Sequence, residues 1–326
     1  MSKTLITGGA GFIGFHLAKS LVNQGHEVVI VDNFFRSAKD EDLLLLLNMQ
    51  NIKMIEADLT DKSSWDKIGS GYDYVYHLVG INGTKLFYKI PHEVLRIGVS
   101  TTMNVLEWFR TKNNMPHAKI LYTSSNEAYA SALEAFGNLP IPTSENVPLV
   151  IADTYNARWS YGGQKLIGEL FFINYSREYN FRMSIVRPHN FYGPRAGYDH
   201  VIPEIIKRIV EKVEPFPIFG ADETRSFCYI EDAVQAIQMV MESEKTDGGT
   251  YHIGTSQETV IKELVEEIFN IMEWHPNNID IKNSPQGSVK RRLADVSKIK
   301  LDTGWEAVIN LNEGLKKTIG WYKNKF

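Results

Sequence analysis

Short runs of aliphatic and β-branched residues alternate along the chain with longer stretches in which apolar positions recur every three or four residues. Over the first 190 positions the short runs predict strands and the amphipathic stretches predict helices. The predicted strands are 5–7, 28–31, 54–55, 74–76, 120–122 and 184–186, and the predicted helices are 12–24, 94–112 and 158–179. Strict alternation requires right-handed crossovers, so the pattern predicts an α/β fold with a doubly wound parallel sheet.

The pattern changes after about residue 193. Helices are predicted at 202–213, 230–241, 261–271 and 311–323, with short strands such as 251–253 between them. We therefore divide the chain into a sheet domain, 1–190, and a smaller C-terminal α+β lobe, 191–326, with a soft boundary and elements that can interleave. Because ligands of open α/β sheets bind beyond the carboxyl ends of the strands, the lobe is expected to close over that crevice and bind substrate.

Composition excludes several classes of protein. The chain has 326 residues and a formal net charge of −4, which gives no electrostatic reason to bind nucleic acid or a membrane surface. Its one cysteine, Cys228, cannot form an intramolecular disulfide, and we find no signal-peptide pattern and no long apolar segment. The expected location is the cytoplasm.

A glycine-rich segment directly follows the first predicted strand. Gly8, Gly11 and Gly14 have the spacing of a dinucleotide-binding turn, and Phe12 and Ile13 begin the first helix. Glycines allow a tight turn and close approach of the backbone to a pyrophosphate, which the free N–H groups of the helix N-terminus attract. The segment therefore predicts a Rossmann dinucleotide site, against the simpler alternative of a tight turn.

The second strand ends in an acidic residue, Asp32, followed by Asn33. Asp32 comes 18 positions after Gly14, close to the spacing at which a carboxylate accepts the adenosine ribose hydroxyls. A carboxylate there would repel a 2′-phosphate, which favours NAD over NADP, although Arg36 could soften that preference. Asp58 and Leu59 after the third strand are either adenine contacts or the N-cap region of a helix.

A tyrosine and a lysine stand four residues apart in the predicted helix 158–179. This spacing places Tyr161 and Lys165 on one face, so the two side chains can share one site. An ammonium group beside a phenol is expected to lower the pKa of Tyr161 from its usual value of about 10, making it a general base for a hydroxyl. The pair alone is a weak signal, because both residue types are common on helix surfaces.

Taken in order, several segments resemble the extended short-chain dehydrogenase/reductases that modify nucleotide sugars. The resemblance covers nearly the whole chain and extends to residues 77–80, 123–129, 187–195, 225–232, 304–305 and 314–315. It implies NAD as cofactor, with Leu78 among its contacts, and a nucleoside-diphosphate sugar as substrate. Tyr161 would remove a proton from a sugar hydroxyl, usually at C4, as hydride leaves for the nicotinamide.

The resemblance also implies roles for other residues. Ser125 would hydrogen-bond the reacting hydroxyl, and Lys165 would hold the nicotinamide ribose. Asn126 would contact the substrate. Asn190, Arg195 and Arg225 would contact its diphosphate, since guanidinium groups suit phosphate oxygens, with surface ion pairs as the alternative for each arginine.

The triplet Ser125–Asn126–Glu127 bears on the net reaction. Related dehydratases carry Thr-Asp-Glu or Thr-Ser-Glu here, decarboxylases carry Thr-Ser-Glu, and many epimerases have no acid. Glu127 would move a second proton in an elimination, or would merely orient a loop; Asn126 cannot be an acid. We therefore favour C4 oxidation, reduction or epimerisation, with 4,6-dehydration or decarboxylation through Glu127 as the alternative.

Three further expectations complete the analysis. A non-catalytic NAD-binding regulator or scaffold is the competing class, but it would not need Tyr161, Lys165 and Ser125 together.

His77, His189 and Cys228 are expected to be core residues, with no metal site. The resemblance implies a C2 homodimer, or a higher oligomer, through helices 94–112 and 158–179, and Phe171 and Phe172 near Ile167 are expected to supply its apolar surface.

Overall fold

The computed structural model describes residues 1–284, 289–323 and 325. A parallel seven-stranded sheet forms its centre, in the order β11-β6-β5-β4-β1-β2-β3. The strands of the described residues are β1 (Lys3–Thr7), β2 (Glu27–Asp32), β3 (Ile52–Glu56), β4 (Tyr74–His77), β5 (Lys119–Thr123), β6 (Arg182–Pro188), β7 (Phe191–Tyr192), β8 (Phe216–Phe219), β9 (Thr224–Arg225), β10 (Cys228–Tyr229), β11 (Thr250–Ile253), β12 (Thr259–Val260), β13 (Ile279–Lys282) and β14 (Arg291–Arg292).

Helices cover both faces of this sheet and build most of the lobe. The α-helices of the described residues are α1 (Phe12–Asn23), α2 (Glu41–Leu47), α3 (Thr84–Lys89), α4 (Pro91–Lys112), α5 (Ser131–Phe136), α6 (Trp159–Tyr179), α7 (Val201–Val210), α8 (Ile230–Glu242), α9 (Ile261–Met272), α10 (Ser297–Thr303) and α11 (Leu311–Lys323). Short 3-10 helices lie at Lys62–Lys67, Asn126–Ala128 and Glu244–Thr246. Within this described part, none of the helices combines the length and apolar composition that crossing a bilayer requires.

The central strands are buried on both faces, which explains their continuous apolar runs. Leu5 and Ile6 of β1 are fully buried between helices on opposite faces of the sheet, and Val28–Val31 of β2 behave in the same way. Strand β1 pairs in parallel with β2 on one side and β4 on the other. The predicted doubly wound parallel sheet is therefore confirmed, and the carboxyl ends of β1, β2, β4, β5 and β6 meet at one edge.

The two predicted regions interleave along the chain. Strand β11 lies well past residue 190, yet it pairs in parallel with β6 as an edge of the main sheet. Helix α8, expected in the lobe, packs on β5, β6 and β11 instead. The lobe proper consists of α7, α9, α11 and small sheets such as β12-β9-β14 and β13-β8, which lie beyond the carboxyl edge of the main sheet.

Candidate active site

The glycine segment forms a turn that a larger residue could not make. Gly8 has φ +75°, and a Cβ on Gly14 would lie 2.4 Å from the Gly8 carbonyl oxygen. Helix α1 then begins after Gly11 with no side-chain cap and no acidic residue in its first turn. Its N–H groups and the positive end of its dipole are therefore available to an anion, which fits the pyrophosphate of NAD.

Asp32 ends β2 beside this turn. Its carboxylate accepts hydrogen bonds from the Ala10 N–H (3.1 Å), the Phe34 N–H (2.9 Å) and the Ser37 hydroxyl (2.8 Å). These donors fix the carboxylate next to the glycine turn, where the adenosine ribose of a dinucleotide would lie. Asn33 follows and turns the chain by accepting from the Phe35 N–H.

The other proposed cofactor contacts lie on neighbouring strand ends. The Leu78 backbone follows β4 and lies 3.2 Å from the position of a Cβ on Gly8, so the cleft is narrow here. Asp58 is exposed and accepts from the Thr60 N–H, whereas the N-cap of the following 3-10 helix is Asp61. Leu59 is buried, and its carbonyl accepts from the Trp65 indole N–H. Asp58 therefore does not cap that helix, which leaves the adenine contact as the expectation.

Tyr161 and Lys165 lie on the same face of α6, as predicted. The Lys165 Nζ is 5.7 Å from the Tyr161 ring centroid and donates to the Thr123 carbonyl at 2.6 Å. Ser125, just past the end of β5, lies near enough to the Tyr161 phenol for its hydroxyl to lower the pKa of that phenol. The Phe87 ring stacks on the Tyr161 ring with centroids 4.9 Å apart, which fixes the phenol and excludes water from one face.

The pKa of Tyr161 was expected to be lowered, but in the protein without its cofactor it is raised. Burial raises the pKa of Tyr161, and the nearby Ser125 hydroxyl only partly offsets this. Burial also lowers the pKa of Lys165 to about 7, against the opposing effect of the Glu169 carboxylate. The spacing argument placed the two groups correctly but omitted the desolvation of both, which is the larger effect here.

Glu127 is held between two arginines. Its Oε1 accepts from Arg292 Nη1 at 2.8 Å, and its Oε2 lies 3.4 Å from Arg158 Nη2. All three side chains are largely buried. Burial alone would raise the pKa of Glu127, but Arg292 and Arg158 outweigh it and lower the pKa below its usual range. Glu127 is therefore ionised and poorly suited to act as an acid.

Asn126 belongs to the same cluster. Its Oδ1 accepts from Arg292 Nη1 at 3.3 Å, and its buried Nδ2 has no hydrogen-bond partner among the described residues. The Arg158 Nε is in the same situation. Two guanidinium groups and one carboxylate carry one net positive charge, so the cluster is suited to an anionic, hydrogen-bond-accepting ligand.

A cavity of about 290 Å³ lies between α7 and the small sheets of the lobe. Asn190 and Arg225 line it together with Phe219, Phe227 and Glu223. Asn190 donates to the Ser226 carbonyl, and Arg225 pairs with Glu223 at 2.7 Å. Strand pairing brings Arg292 opposite Arg225, so the Glu127 cluster lies next to a residue that lines this cavity. The structure thus brings Asn190 and Arg225 together, as expected for a nucleotide-binding region.

Arg195 lies in an ion pair next to α1, and its expected contact with the diphosphate stays a prediction. Its Nε donates to Asp40 at 2.9 Å, and its guanidinium lies 4.0 Å from the centroid of the Phe15 ring on α1. These contacts join the chain after β7 to the cofactor domain. Both arginines expected at the diphosphate form ion pairs; Arg225 lines the cavity, and the buried Arg195 Nη1 has no hydrogen-bond partner among the described residues.

Arg158 and Arg292 are site residues that the sequence analysis missed. Arg158 precedes Tyr161 by three residues at the start of α6, and that spacing was a usable signal. No local pattern identifies Arg292, which lies 165 positions from its partner Glu127.

The three residues expected in the core are buried there. His77 hydrogen-bonds Thr7, His189 hydrogen-bonds Tyr129, and burial lowers the pKa of both histidines. Burial raises the pKa of the Cys228 thiol. Within residues 1–284, 289–323 and 325, His, Cys, Asp and Glu form no group of three that could hold a metal ion.

The chain is similar to known proteins over nearly its whole length. Residues 4–254 match the model of the NAD dependent epimerase/dehydratase family. The chain is 32% identical to a UDP-N-acetyl-alpha-D-glucosaminuronate decarboxylase of Bacillus cytotoxicus, over 98% of each chain. It is 31% identical to UDP-glucuronic acid decarboxylase 3 of Arabidopsis thaliana, over 96% of this chain and 86% of that one.

A solved structure has a similar fold over nearly the whole chain. The crystal structure of a UDP-glucuronic acid 4-epimerase from Bacillus cereus, in complex with UDP-glucuronic acid and NAD, superposes with a TM-score of 0.86 at 26% identity. The match covers 99% of this chain and 100% of that one.

Proposed function

Since the chain belongs to the NAD-dependent epimerase/dehydratase family, we propose that it decarboxylates a nucleoside-diphosphate hexuronic acid after oxidising it at C4. The family match confirms the predictions of an enzyme, of C4 nucleotide-sugar chemistry and of NAD as cofactor. The net reaction, the substrate and the residue roles are proposals. Bound NAD supplies the hydride acceptor, and the residues around it supply the rest.

The first step belongs to the Tyr161 side of the cleft. Ser125 holds the sugar C4 hydroxyl, and Tyr161 takes its proton, which leaves a ketone at C4. Lys165 lies on the same helix face, and in its protonated form its charge would oppose the effect of burial on the phenol. Asp32 and the N-terminus of α1 hold the other end of the cofactor, as their geometry supports.

The Glu127 cluster is the observation that carries the choice of a uronate as substrate, and similarity to two UDP-sugar decarboxylases favours loss of carbon dioxide as the outcome. A C4 ketone beside a C5 carboxylate is a β-keto acid, whose ionised carboxylate leaves as carbon dioxide without a base. The electron pair of the broken C5–C6 bond becomes an enolate that the C4 ketone stabilises. Protonation at C5 and return of the hydride to C4 would complete the conversion. Such a substrate needs cationic groups to seat the carboxylate. Arg158 and Arg292 exceed Glu127 by one positive charge, and Arg158 starts the helix that carries Tyr161.

Dehydration fits these residues less well. Loss of water from C5 and C6 needs a base at C5 and an acid that protonates the departing hydroxide. The paired arginines keep Glu127 ionised, and Asn126 cannot donate a proton as an acid does. The triplet therefore lacks the acid, although Glu127 has the charge state of a base.

Epimerisation at C4 of the same class of substrate is the second candidate. The cluster would seat a uronate carboxylate equally well in an enzyme that returns hydride to the opposite face of C4. Similarity to a structure described as UDP-glucuronic acid 4-epimerase supports this candidate. Both candidates begin with C4 oxidation, which the sequence analysis expected; that analysis favoured redox chemistry or epimerisation at C4 and gave decarboxylation as the alternative.

The test is to incubate the purified protein separately with UDP-glucuronic acid, UDP-N-acetylglucosaminuronic acid and UDP-glucose. We expect a product that has lost carbon dioxide from one of the uronates and no turnover of UDP-glucose, which lacks the carboxylate. A product of unchanged mass but altered retention would favour epimerisation. Turnover of UDP-glucose with the uronates untouched would overturn the proposal.

We also propose that the protein is a cytoplasmic homodimer. Helices α4 and α6 pack together, and Leu95, Met103 and Leu170 remain exposed on them. Phe172, expected at this surface, is instead completely buried against the sheet, whereas Phe171 is partly exposed. Light scattering at micromolar concentration tests the assembly, and a mass of 37.1 kDa would overturn it.

A further inference from the structure

A buried glutamine amide lies beside Lys165 and has no role in the chemistry above. Gln164 is 1% exposed, and neither its Oε1 nor its Nε2 has a hydrogen-bond partner among the described residues. Both atoms are removed from water, and an unpaired buried amide is strongly unfavourable. An orphaned group of this kind at the edge of a binding cleft indicates a polar ligand.

The amide occupies space that Gly98 leaves open. Gly98 lies on α4, which packs against α6. A Cβ on Gly98 would lie 1.8 Å from Gln164 Oε1 and 2.4 Å from Gln164 Cδ. The amide therefore occupies space that is free only because residue 98 is a glycine, and any side chain there would displace it.

The amide also faces the same point as the Lys165 ammonium. A Cβ on Gly80, three residues past the end of β4, would lie 3.2 Å from Lys165 Nζ and 3.9 Å from Gln164 Nε2. Gly80 has no side chain to separate these groups from the carboxyl edge of the sheet. Gln164 and Lys165 are therefore directed toward one small volume beside Tyr161.

We propose that Gln164 is a cofactor-positioning residue, whose amide hydrogen-bonds the nicotinamide ribose of bound NAD beside Lys165. The inference rests on the proposed function, because it adds a residue to the same NAD site. An amide both donates and accepts, as ribose hydroxyls do, so a single side chain can satisfy them in either orientation. Its two orphaned atoms are then paired only in the loaded enzyme.

The test compares two ligands by calorimetry on nucleotide-free, full-length protein. Gln164→Met keeps the length and burial of the side chain but removes its hydrogen bonds. We expect NAD to bind about tenfold more weakly, the usual effect of losing a hydrogen bond to a ligand, while ADP binds as in the wild type because it lacks the nicotinamide half. Asp32→Asn is the contrasting variant and should weaken both ligands.

Gly98→Ala supplies a second, independent variant. Its methyl group would overlap the amide and displace it, so NAD affinity should fall as in Gln164→Met, while the double variant Gly98→Ala/Gln164→Ala should bind no more weakly than Gln164→Ala alone. Equal loss of NAD and ADP affinity in Gln164→Met, or no loss of either, would overturn the inference. If the wild type binds neither ligand, the NAD site itself is overturned.

Discussion

The two sides of the catalytic cleft differ in how they treat charge. On the α6 side, Tyr161 and Lys165 are buried among apolar and aromatic groups, and burial shifts both pKa values toward the neutral forms. On the Glu127 side, Arg158 and Arg292 surround a carboxylate that stays ionised although it is largely buried. Both sides are largely buried, but the titratable groups on the α6 side shift toward their neutral forms, whereas the groups on the Glu127 side keep their charges.

This difference separates two tasks. A group that must take up and release a proton needs charged and neutral forms of similar energy, and burial brings Lys165 toward that condition but moves the Tyr161 phenol away from it. A group that binds an anion needs a charge that does not titrate, and guanidinium groups provide it. The comparison predicts that variants on the first side change the rate, whereas variants on the second change substrate choice and outcome.

The largest expected effect comes from Tyr161→Phe. Only the hydroxyl is removed, and the ring can still stack on Phe87. We expect kcat to fall by roughly 10²–10⁴, the usual contribution of a general base, with NAD affinity and melting temperature nearly unchanged. Single-turnover absorbance of the reduced cofactor measures this. Retention of most activity would show that Tyr161 only packs.

Arg292→Met should break the charged side with a smaller effect. Its removal leaves Glu127 with Arg158 alone, so the cluster loses its net positive charge. We expect kcat/KM for a uronate substrate to fall by about 10², the usual effect of removing one partner of a buried charge pair. Arg291→Met is the matched control, because Arg291 is adjacent to Arg292 in sequence but is exposed and pairs with Glu258. Equal losses in both variants would contradict a local role.

The same division explains what the sequence could predict. The glycine turn, Asp32 and the Tyr161/Lys165 pair are each defined by spacing within one turn or one helix, so local rules located them. Arg292 reaches Glu127 only because β14 pairs with β9, a long-range register that no local pattern encodes. Interleaving of the two regions was expected only in general terms for the same reason, since the return of β11 to the main sheet depends on non-local pairing.

Desolvation was the other element missing from the sequence. The i, i+4 spacing of Tyr161 and Lys165 predicted their proximity but carried no information on the layer that covers them. Phe87, which stacks on Tyr161, belongs to a short helix that the hydrophobic pattern did not reveal. The pKa of Tyr161 therefore moved in the direction opposite to the one expected.

Glu127→Gln sharpens the comparison by removing the negative member of the cluster. The fold should persist, since Gln keeps the size and the hydrogen-bonding oxygen. In a decarboxylase, we expect turnover to fall about tenfold as the arginines lose their orienting carboxylate, a loss typical of one charged hydrogen bond. The reduced cofactor should then accumulate in a single turnover. Unchanged turnover with epimerised product would instead favour the second candidate.

The smallest expected effect is on stability, and it tests whether the α6 side is dry. Below pH 7 Lys165 is charged in both folded and unfolded chains, so the fold carries a buried ammonium. Because its folded pKa of about 7 lies below its usual 10.5, the folded chain loses this proton first as pH rises, and stability increases between those values.

Lys165→Met removes that dependence. The variant should therefore gain stability relative to the wild type at pH 6, and the gain should shrink by up to about 1.4 kcal/mol per pH unit above pH 7, the limit for one proton. Urea unfolding of nucleotide-free protein at pH 6, 8 and 9.5 measures the gap, with Lys112→Met at the exposed end of α4 as the control. A gap that stays constant with pH would show that Lys165 remains hydrated and charged, and the contrast between the two sides of the cleft would then be lost.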